Sequence, residues 1–219
     1  MHDPICYIVG AGEDYGLDFV PGKQDLVIAA DGGYARLKQA GIRPDLVIGD
    51  FDSLGWIPEE NQVVTLPEVK DVTDTWAAIE LGRERGYRSF WLYNCTGGRI
   101  DHTLANIQTL AMLAEQGMTG VLVDQTQLIT AVSGSTVEFS PACSGFLSVF
   151  SHSDRCTGVT LKGLKYELEH AELTNRFPLG VSNAFLGQPA SVTIGSGVAV
   201  LVYDRGSSTN RLTTTLSVE

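Results

Sequence analysis

Acidic residues stand in this chain where strands are expected to end, and their types and spacing carry the first chemical signal. The apolar run Leu26 to Ala30 ends in Asp31-Gly32-Gly33, and Leu46 to Ile48 ends in Gly49-Asp50-Phe51-Asp52-Ser53. A third run, Phe90 to Tyr93, leads into Thr96-Gly97-Gly98-Arg99-Ile100-Asp101-His102. Carboxylates gathered in one place are costly unless a cation neutralises them. Asp50 and Asp52 are separated by one residue, so a strand or a turn aims both at one point. A few hard oxygen ligands suit Mg²⁺, which completes its octahedron with water and phosphate oxygens. An isolated D-x-D pair also reads as a plain polar loop; the neighbouring clusters favour the metal.

Two further stretches extend the signal. Lys70-Asp71-Val72-Thr73-Asp74 precedes a helical pattern. Thr73 or Asp71 can serve as its N-cap, and Asp74 suits the first turn, where the helix dipole favours an acid. Capping accounts for one acid and leaves another for a site. Gly97 and Gly98 let backbone amides approach phosphate oxygens just ahead of a helix, where Arg99 adds a forked, charge-assisted contact. The same glycines also suit a tight strand-to-helix turn. His102 and Asn106 lie four apart and share one helix face, although a histidine there also reads as polar surface. No G-x-x-x-x-G-K-[ST] occurs, so a Walker-type cradle is excluded, and Gly10-Ala11-Gly12 does not complete a G-x-G-x-x-G. Neither G-x-S-x-G nor H-E-x-x-H is present. These residues point to a Mg²⁺-dependent enzyme acting on a phosphate-bearing substrate.

The elements that must position them alternate in the first half. Ile5 to Val9, Leu26 to Ala30, Leu46 to Ile48, Phe90 to Tyr93 and Val121 to Val123 read as buried strands, nearly continuous in apolar character. Helices are predicted over Tyr34 to Ala40, Asp74 to Arg85 and Asp101 to Gln116. The last buries a stripe of Leu104, Ile107, Ala111 and Ala114. Gly41 and Gly117 stand where left-handed C-caps are wanted. This is an α/β pattern with a mainly parallel sheet, in which ligands bind outside the carboxyl ends of the strands. From Gln127 onward the runs are β-rich: Thr136 to Phe139, Phe146 to Phe150, Val159 to Leu161, Glu167 to Leu173 and Val198 to Tyr203. Gly195-Ser196-Gly197 suggests a hairpin turn. The sequence therefore predicts an α/β domain over residues 1–130 and an all-β sandwich or barrel over 131–219.

Composition bounds the partners. The 219 residues hold 15 Lys and Arg against 26 Asp and Glu, a formal net charge of -11. Such a surface excludes a nucleic-acid polymer and is repelled by an anionic membrane. No run approaches the roughly 18 apolar residues of a membrane span, and Met1-His2-Asp3-Pro4 opens no basic leader. Cys6, Cys95, Cys143 and Cys156 form no C-x-x-C pair and read as buried free thiols of a cytoplasmic protein.

Taken in order, Ala30-Asp31-Gly32-Gly33, Gly49-Asp50-Phe51-Asp52-Ser53, Asp71-Val72-Thr73-Asp74 and Gly97-Gly98-Arg99-Ile100-Asp101-His102 resemble the thiamine pyrophosphokinase family. Gly163-Leu164-Lys165-Tyr166 and Ser182-Asn183 extend the resemblance into the β-rich half, where each also reads as an ordinary strand or turn. The resemblance implies an α/β nucleotide domain of three layers followed by a β-sandwich that binds thiamine and dimerises, with active sites between the subunits of a homodimer. It implies transfer of pyrophosphate from ATP to the hydroxyl of thiamine, giving thiamine diphosphate and AMP. Asp50, Asp52 and Asp74 would ligate Mg²⁺; Asp31, Gly32, Gly33, Ser53, Thr73, Gly97, Gly98, Arg99 and His102 would line the ATP site. Asp101 would orient or deprotonate the thiamine hydroxyl, and Ser182 and Asn183 would meet the pyrimidine edge. Val72 departs from the polar residue that relatives often carry. A related pyrophosphokinase acting on a pterin alcohol, a Mg²⁺-dependent phosphohydrolase and a non-catalytic thiamine sensor are the alternatives.

Overall fold

The computed structural model describes residues 3–50, 63–66 and 71–206. Asp52 and Ser53 of the expected site lie outside them. The chain divides into two compact units, Met1–Thr109 with Thr119–Gln125, and Leu110–Met118 with Thr126–Glu219.

The first unit is built on β1 (Ile5–Val9), β2 (Leu26–Ala30), β3 (Leu46–Gly49), β4 (Val63–Thr65), β5 (Ser89–Tyr93) and β6 (Thr119–Val123). All pair in parallel, in the order β6-β5-β1-β2-β3-β4. β4 is not predicted by the sequence. β2 is buried at all five positions, which requires cover on both faces of the sheet. α1 (Gly33–Gln39) packs on β1 and β2, and α2 (Asp74–Glu84) on β1, β2 and β3. α1 leads outward from β2 to β3, whereas α2 leads back from β4 to β5. Right-handed crossovers running in opposite directions set these helices on opposite faces, which makes three layers. Because β2 and β5 flank β1, the strand order reverses at β1 and β5.

α3 spans Ile100–Glu115. Of its expected stripe Ala111 and Ala114 are buried and Ile107 is half-buried, but Leu104 is 56% exposed, and Asn106, Leu110 and Leu113 are buried beside them. Asn106 can take the inner position because its amide donates to the Cys95 carbonyl oxygen at 2.7 Å, satisfying a buried polar group. Gly41 and Gly117 have φ of 70° and 67°. After them the amides of Ile42 and Met118 reach back to the carbonyls of Leu37 and Leu113, as Schellman caps require.

The second unit contains β7 (Gln127–Phe139), β8 (Phe146–Ser151), β9 (Arg155–Lys162), β10 (Leu168–Thr174), β11 (Gly180–Ala184) and β12 (Ala190–Asp204). β12 runs antiparallel to β7 along its length, from Ala190 opposite Phe139 to Asp204 opposite Gln127. Its first half pairs with β9 and its second half with β8. β10 then pairs with β9, and β11 with β8. The two resulting sheets share β7 and β12 and enclose Val137, Phe139, Val149, Leu161, Ile194 and Tyr203 as a β-sandwich. Gly195-Ser196-Gly197 is not a hairpin turn. It is a bulge inside β12, between the pairs Ile194–Ser135 and Val198–Ser133, where three residues face one. The bulge bends β12 without ending it, and its neighbour changes from β9 to β8 there.

Candidate active site

The loops after β1 and β5 stay zipped together beyond their strands. Gly10, Gly12 and Glu13 donate their amides to the carbonyls of Tyr93, Asn94 and Thr96 at 2.9, 2.7 and 3.1 Å. Beside this seam, where the strand order reverses, opens a cavity of about 980 Å³. An open α/β sheet offers its ligand crevice at such a switch point. Asp31 and Asn94, the first residues after β2 and β5, are left-handed with φ of 49° and 53°. Asp and Asn tolerate that region best among non-glycine residues, and such backbone strain collects at functional sites.

Of the expected site residues, Asp31, Thr73, Asp74, Gly97, Gly98, Arg99 and His102 line this cavity. Thr73 is also the N-cap of α2: its Oγ1 accepts from the Trp76 amide at 3.1 Å, while Asp71 is exposed. Asp74 follows as the first helical residue, so capping leaves its carboxylate on the cavity wall. Gly97 and Gly98 have φ of 78° and 59°, a conformation that turns the chain sharply into α3.

Several expected residues have other places. Gly32 is the residue before α1 and Gly33 its first, and neither is on the cavity wall. A Cβ on Gly33 would collide with the Val9 carbonyl oxygen, so this glycine serves the packing of α1 on β1. Asp50 directly follows β3, next to β2, but is not on the wall either. Asp101 is off the wall, exposed and paired with Arg99. The Arg99 guanidinium pulls its carboxyl down to about 2 from the usual 3.8. A carboxylate that holds its proton so weakly is a poor general base near neutral pH.

In the second unit, Ser182 is an exposed left-handed residue of β11 with φ of 59°. Asn183 is 3% exposed and engaged with backbone. Its Oδ1 accepts from the amides of Tyr166 and Ala184, each at 2.9 Å, and its Nδ2 donates to the Tyr166 carbonyl at 2.6 Å. Asn183 thus clamps the backbone of Tyr166 at the end of the Gly163–Tyr166 segment. The acceptor capacity of its Oδ1 is already filled.

The cavity also holds residues that the sequence reading misses. Glu13 and Asp14 come from the loop after β1, and Arg36 from α1, its guanidinium 3.6 Å from Asp14. Asn94 donates to Asp14 at 3.4 Å, and Thr96 to Asp124, at the end of β6, at 2.7 Å. Gly10-Ala11-Gly12 was the available signal for this loop, and Ala11 and Gly12 are on the wall. The wall thus presents two guanidinium groups, a glycine-rich turn at a helix N-terminus and several carboxylates, an arrangement that can hold a polyphosphate together with a cation.

Among the described residues, no three His, Cys, Asp or Glu side chains are gathered closely enough to cage a metal ion. The donor set nevertheless fits Mg²⁺. Asp31 and Asp74 offer hard oxygens inside the cavity, and Mg²⁺ is commonly held by one or two carboxylates with phosphate and water. No helix among the described residues is long and apolar enough to cross a membrane. All four cysteines are free and buried, as the sequence predicts.

Comparison with known proteins agrees over nearly the whole chain. Residues 20–122 match "Thiamin pyrophosphokinase, catalytic domain", and residues 136–199 match "Thiamin pyrophosphokinase, vitamin B1 binding domain". The chain is 26% identical over 184 residues to the thiamine pyrophosphokinase of Bacillus subtilis, covering 81% of this chain and 86% of that protein. The crystal structure of thiamine pyrophosphokinase from Bacillus subtilis superposes with a TM-score of 0.79 at 25% identity, over 91% of this chain and 98% of the other. That of thiamin pyrophosphokinase from Geobacillus thermodenitrificans gives 0.79 at 27% identity, over 93% and 99%. With both of its family regions present in order on the matching fold, the chain belongs to the thiamin pyrophosphokinase family.

Proposed function

We propose that the protein is a cytoplasmic, Mg²⁺-dependent thiamine pyrophosphokinase that transfers the pyrophosphoryl group of ATP to the hydroxyl of thiamine, releasing AMP. The observation that carries this reading is the cavity at the strand-order reversal, where Asp31 and Asp74 share a wall with Gly97, Gly98 and Arg99. The Gly98 amide, Arg99 and Arg36 would hold the triphosphate, with His102 and Thr73 beside it. Positioning and charge balance dominate transfers of this kind, because the protein has little covalent chemistry to supply. Asp50, Asp52 and Asp74 would hold the metal, which when bound neutralises charge on the phosphate oxygens. The low pKa of Asp101 favours a role in orienting Arg99 over deprotonating the thiamine hydroxyl. The α/β unit would bind nucleotide. The β-sandwich, through the surface around Ser182, would bind thiamine and join two copies into a homodimer with active sites between subunits.

The test is AMP release in the presence of ATP and Mg²⁺, with thiamine, a pterin alcohol or no acceptor. AMP that requires thiamine supports the reading. AMP only with the pterin, or phosphate released without an acceptor, overturns it. Exchanging Asp50, Asp52 or Asp74 for Asn should lower turnover by roughly 100-fold or more, the scale of losing one preorganised contact to developing charge. The circular dichroism of each variant should be unchanged.

A further inference from the structure

We propose that Glu13 is an internal competitor for the phosphate site, a carboxylate latch that sets nucleotide affinity by occupying the Gly98 amide until a polyphosphate displaces it. This rests on the nucleotide reading of the cavity given above. The Gly98 amide donates to Glu13 Oε1 at 3.2 Å. The other carboxylate oxygen accepts from the Tyr15 hydroxyl at 3.3 Å. Glu13 is fixed at its backbone, where its amide donates to the Thr96 carbonyl at 3.1 Å. Its side chain therefore reaches from the β1 loop across the seam onto the β5 loop. Gly97 makes room for this: a Cβ there would come within 2.6 Å of the Tyr15 hydroxyl oxygen and 2.8 Å of Glu13 Cβ.

A carboxylate oxygen and a phosphate oxygen make the same demand on a backbone amide, and an amide has one proton to give. The two anions also repel in a cavity already lined by Asp14, Asp31 and Asp74. Glu13 must then turn away when a polyphosphate takes the turn. Its freedom to do so differs from that of Asp14, which is held by the Gly16 amide at 3.0 Å and by Arg36. Glu13 is exposed, so it leaves for water rather than for a buried site, and the latch weakens binding without blocking it.

The opposite sign follows from either rival role. A Glu13 that ligated the metal, or that only preorganised the turn, would strengthen nucleotide binding, and its loss would weaken it. Calorimetric titration with a non-hydrolysable ATP analogue and Mg²⁺ separates these. Glu13→Gln keeps size and removes charge, and should bind the analogue ~10-fold tighter, the effect of losing one charge-assisted competitor. Tyr15→Phe leaves the charge and removes only the hydroxyl support, and should tighten binding by about 2-fold. Equal or weaker binding by Glu13→Gln, with the wild-type protein binding normally, overturns the latch and leaves the nucleotide reading intact. Absence of analogue binding by the wild-type protein overturns both.

Discussion

The guanidinium of Arg99 forks over the carboxylate of Asp101, with Nε 3.1 Å and Nη2 2.5 Å from its two oxygens. The His102 amide adds a third donor at 3.0 Å. These neighbours stabilise the ionised form, so the Asp101 carboxyl titrates near 2, below its ordinary 3.8. Whatever this pair contributes to stability is fully present above the ordinary value and is lost only as pH falls through about 2. We expect Arg99→Gln to return the Asp101 midpoint toward 3.8, read by NMR titration of the side-chain carboxyl. The pH–rate profile of the wild-type protein should carry no limb from Asp101 above pH of about 4. A limb that disappears in Asp101→Asn would show instead that Asp101 exchanges a proton during turnover.

Thr73 joins local stability to the cavity, since its hydroxyl oxygen caps α2 while the residue lines the wall. Thr73→Ala should lower unfolding free energy by about 1 kcal/mol, the usual cost of a lost N-cap, and Thr73→Ser should restore it. Urea unfolding measures both. If Thr73→Ser regains stability but leaves the KM for ATP raised, the threonine methyl group has its own contact with the nucleotide.

These two cases show how far the site was legible from residue order. Asp31, Asp74 and the Gly97-Gly98-Arg99 turn could be read because each sits at the end of a strand or the start of a helix, where short-range pattern is strongest. Glu13 could not, because it becomes a neighbour of Gly98 only through the pairing of β1 with β5, and strand order is not written in any local window. Leu104 misled for a related reason. Its spacing fits the apolar stripe that Ala111 and Ala114 do bury, but in the first turns of α3 the Cys95 carbonyl gives Asn106 a buried partner, and Asn106 rather than Leu104 takes the inner position. In the second unit, Gly195-Ser196-Gly197 has the composition of a turn, yet β7 continues past it and keeps β12 in the ladder. Long-range pairing decided each of these.

Burial also governs the thiols. Cys6 and Cys95 are 0% and 6% exposed, and desolvation of the thiolate pushes both up to about 12. Since the thiolate is the reactive form, neither should react with a disulfide reagent at pH of about 8 while the protein is folded. Burial raises Cys143 and Cys156 as well. Thiol titration should therefore proceed at the rate of unfolding, and all four groups should become available in denaturant. Fast modification of Cys95 in the native protein would mean that the cavity wall opens far enough to expose it.

Asn183 offers the sharpest separation of anchor from ligand contact. Its buried amide substitutes for a strand neighbour, accepting from the Tyr166 amide and donating to the Tyr166 carbonyl. Asn183→Ala leaves these backbone groups without their partner, which costs about 1–3 kcal/mol for each that remains buried. We expect a stability loss of that order in urea, together with increased amide exchange at Tyr166. Tyr166 is 59% exposed beside Lys165, whose Nζ lies 5.3 Å from its ring centroid, so loosening the clamp frees both side chains. Any loss of thiamine affinity should then be matched by Tyr166→Gly, which disorders the same segment while keeping Asn183. If Asn183→Ala retains full stability and loses only thiamine binding, the amide touches the vitamin directly and the clamp is incidental.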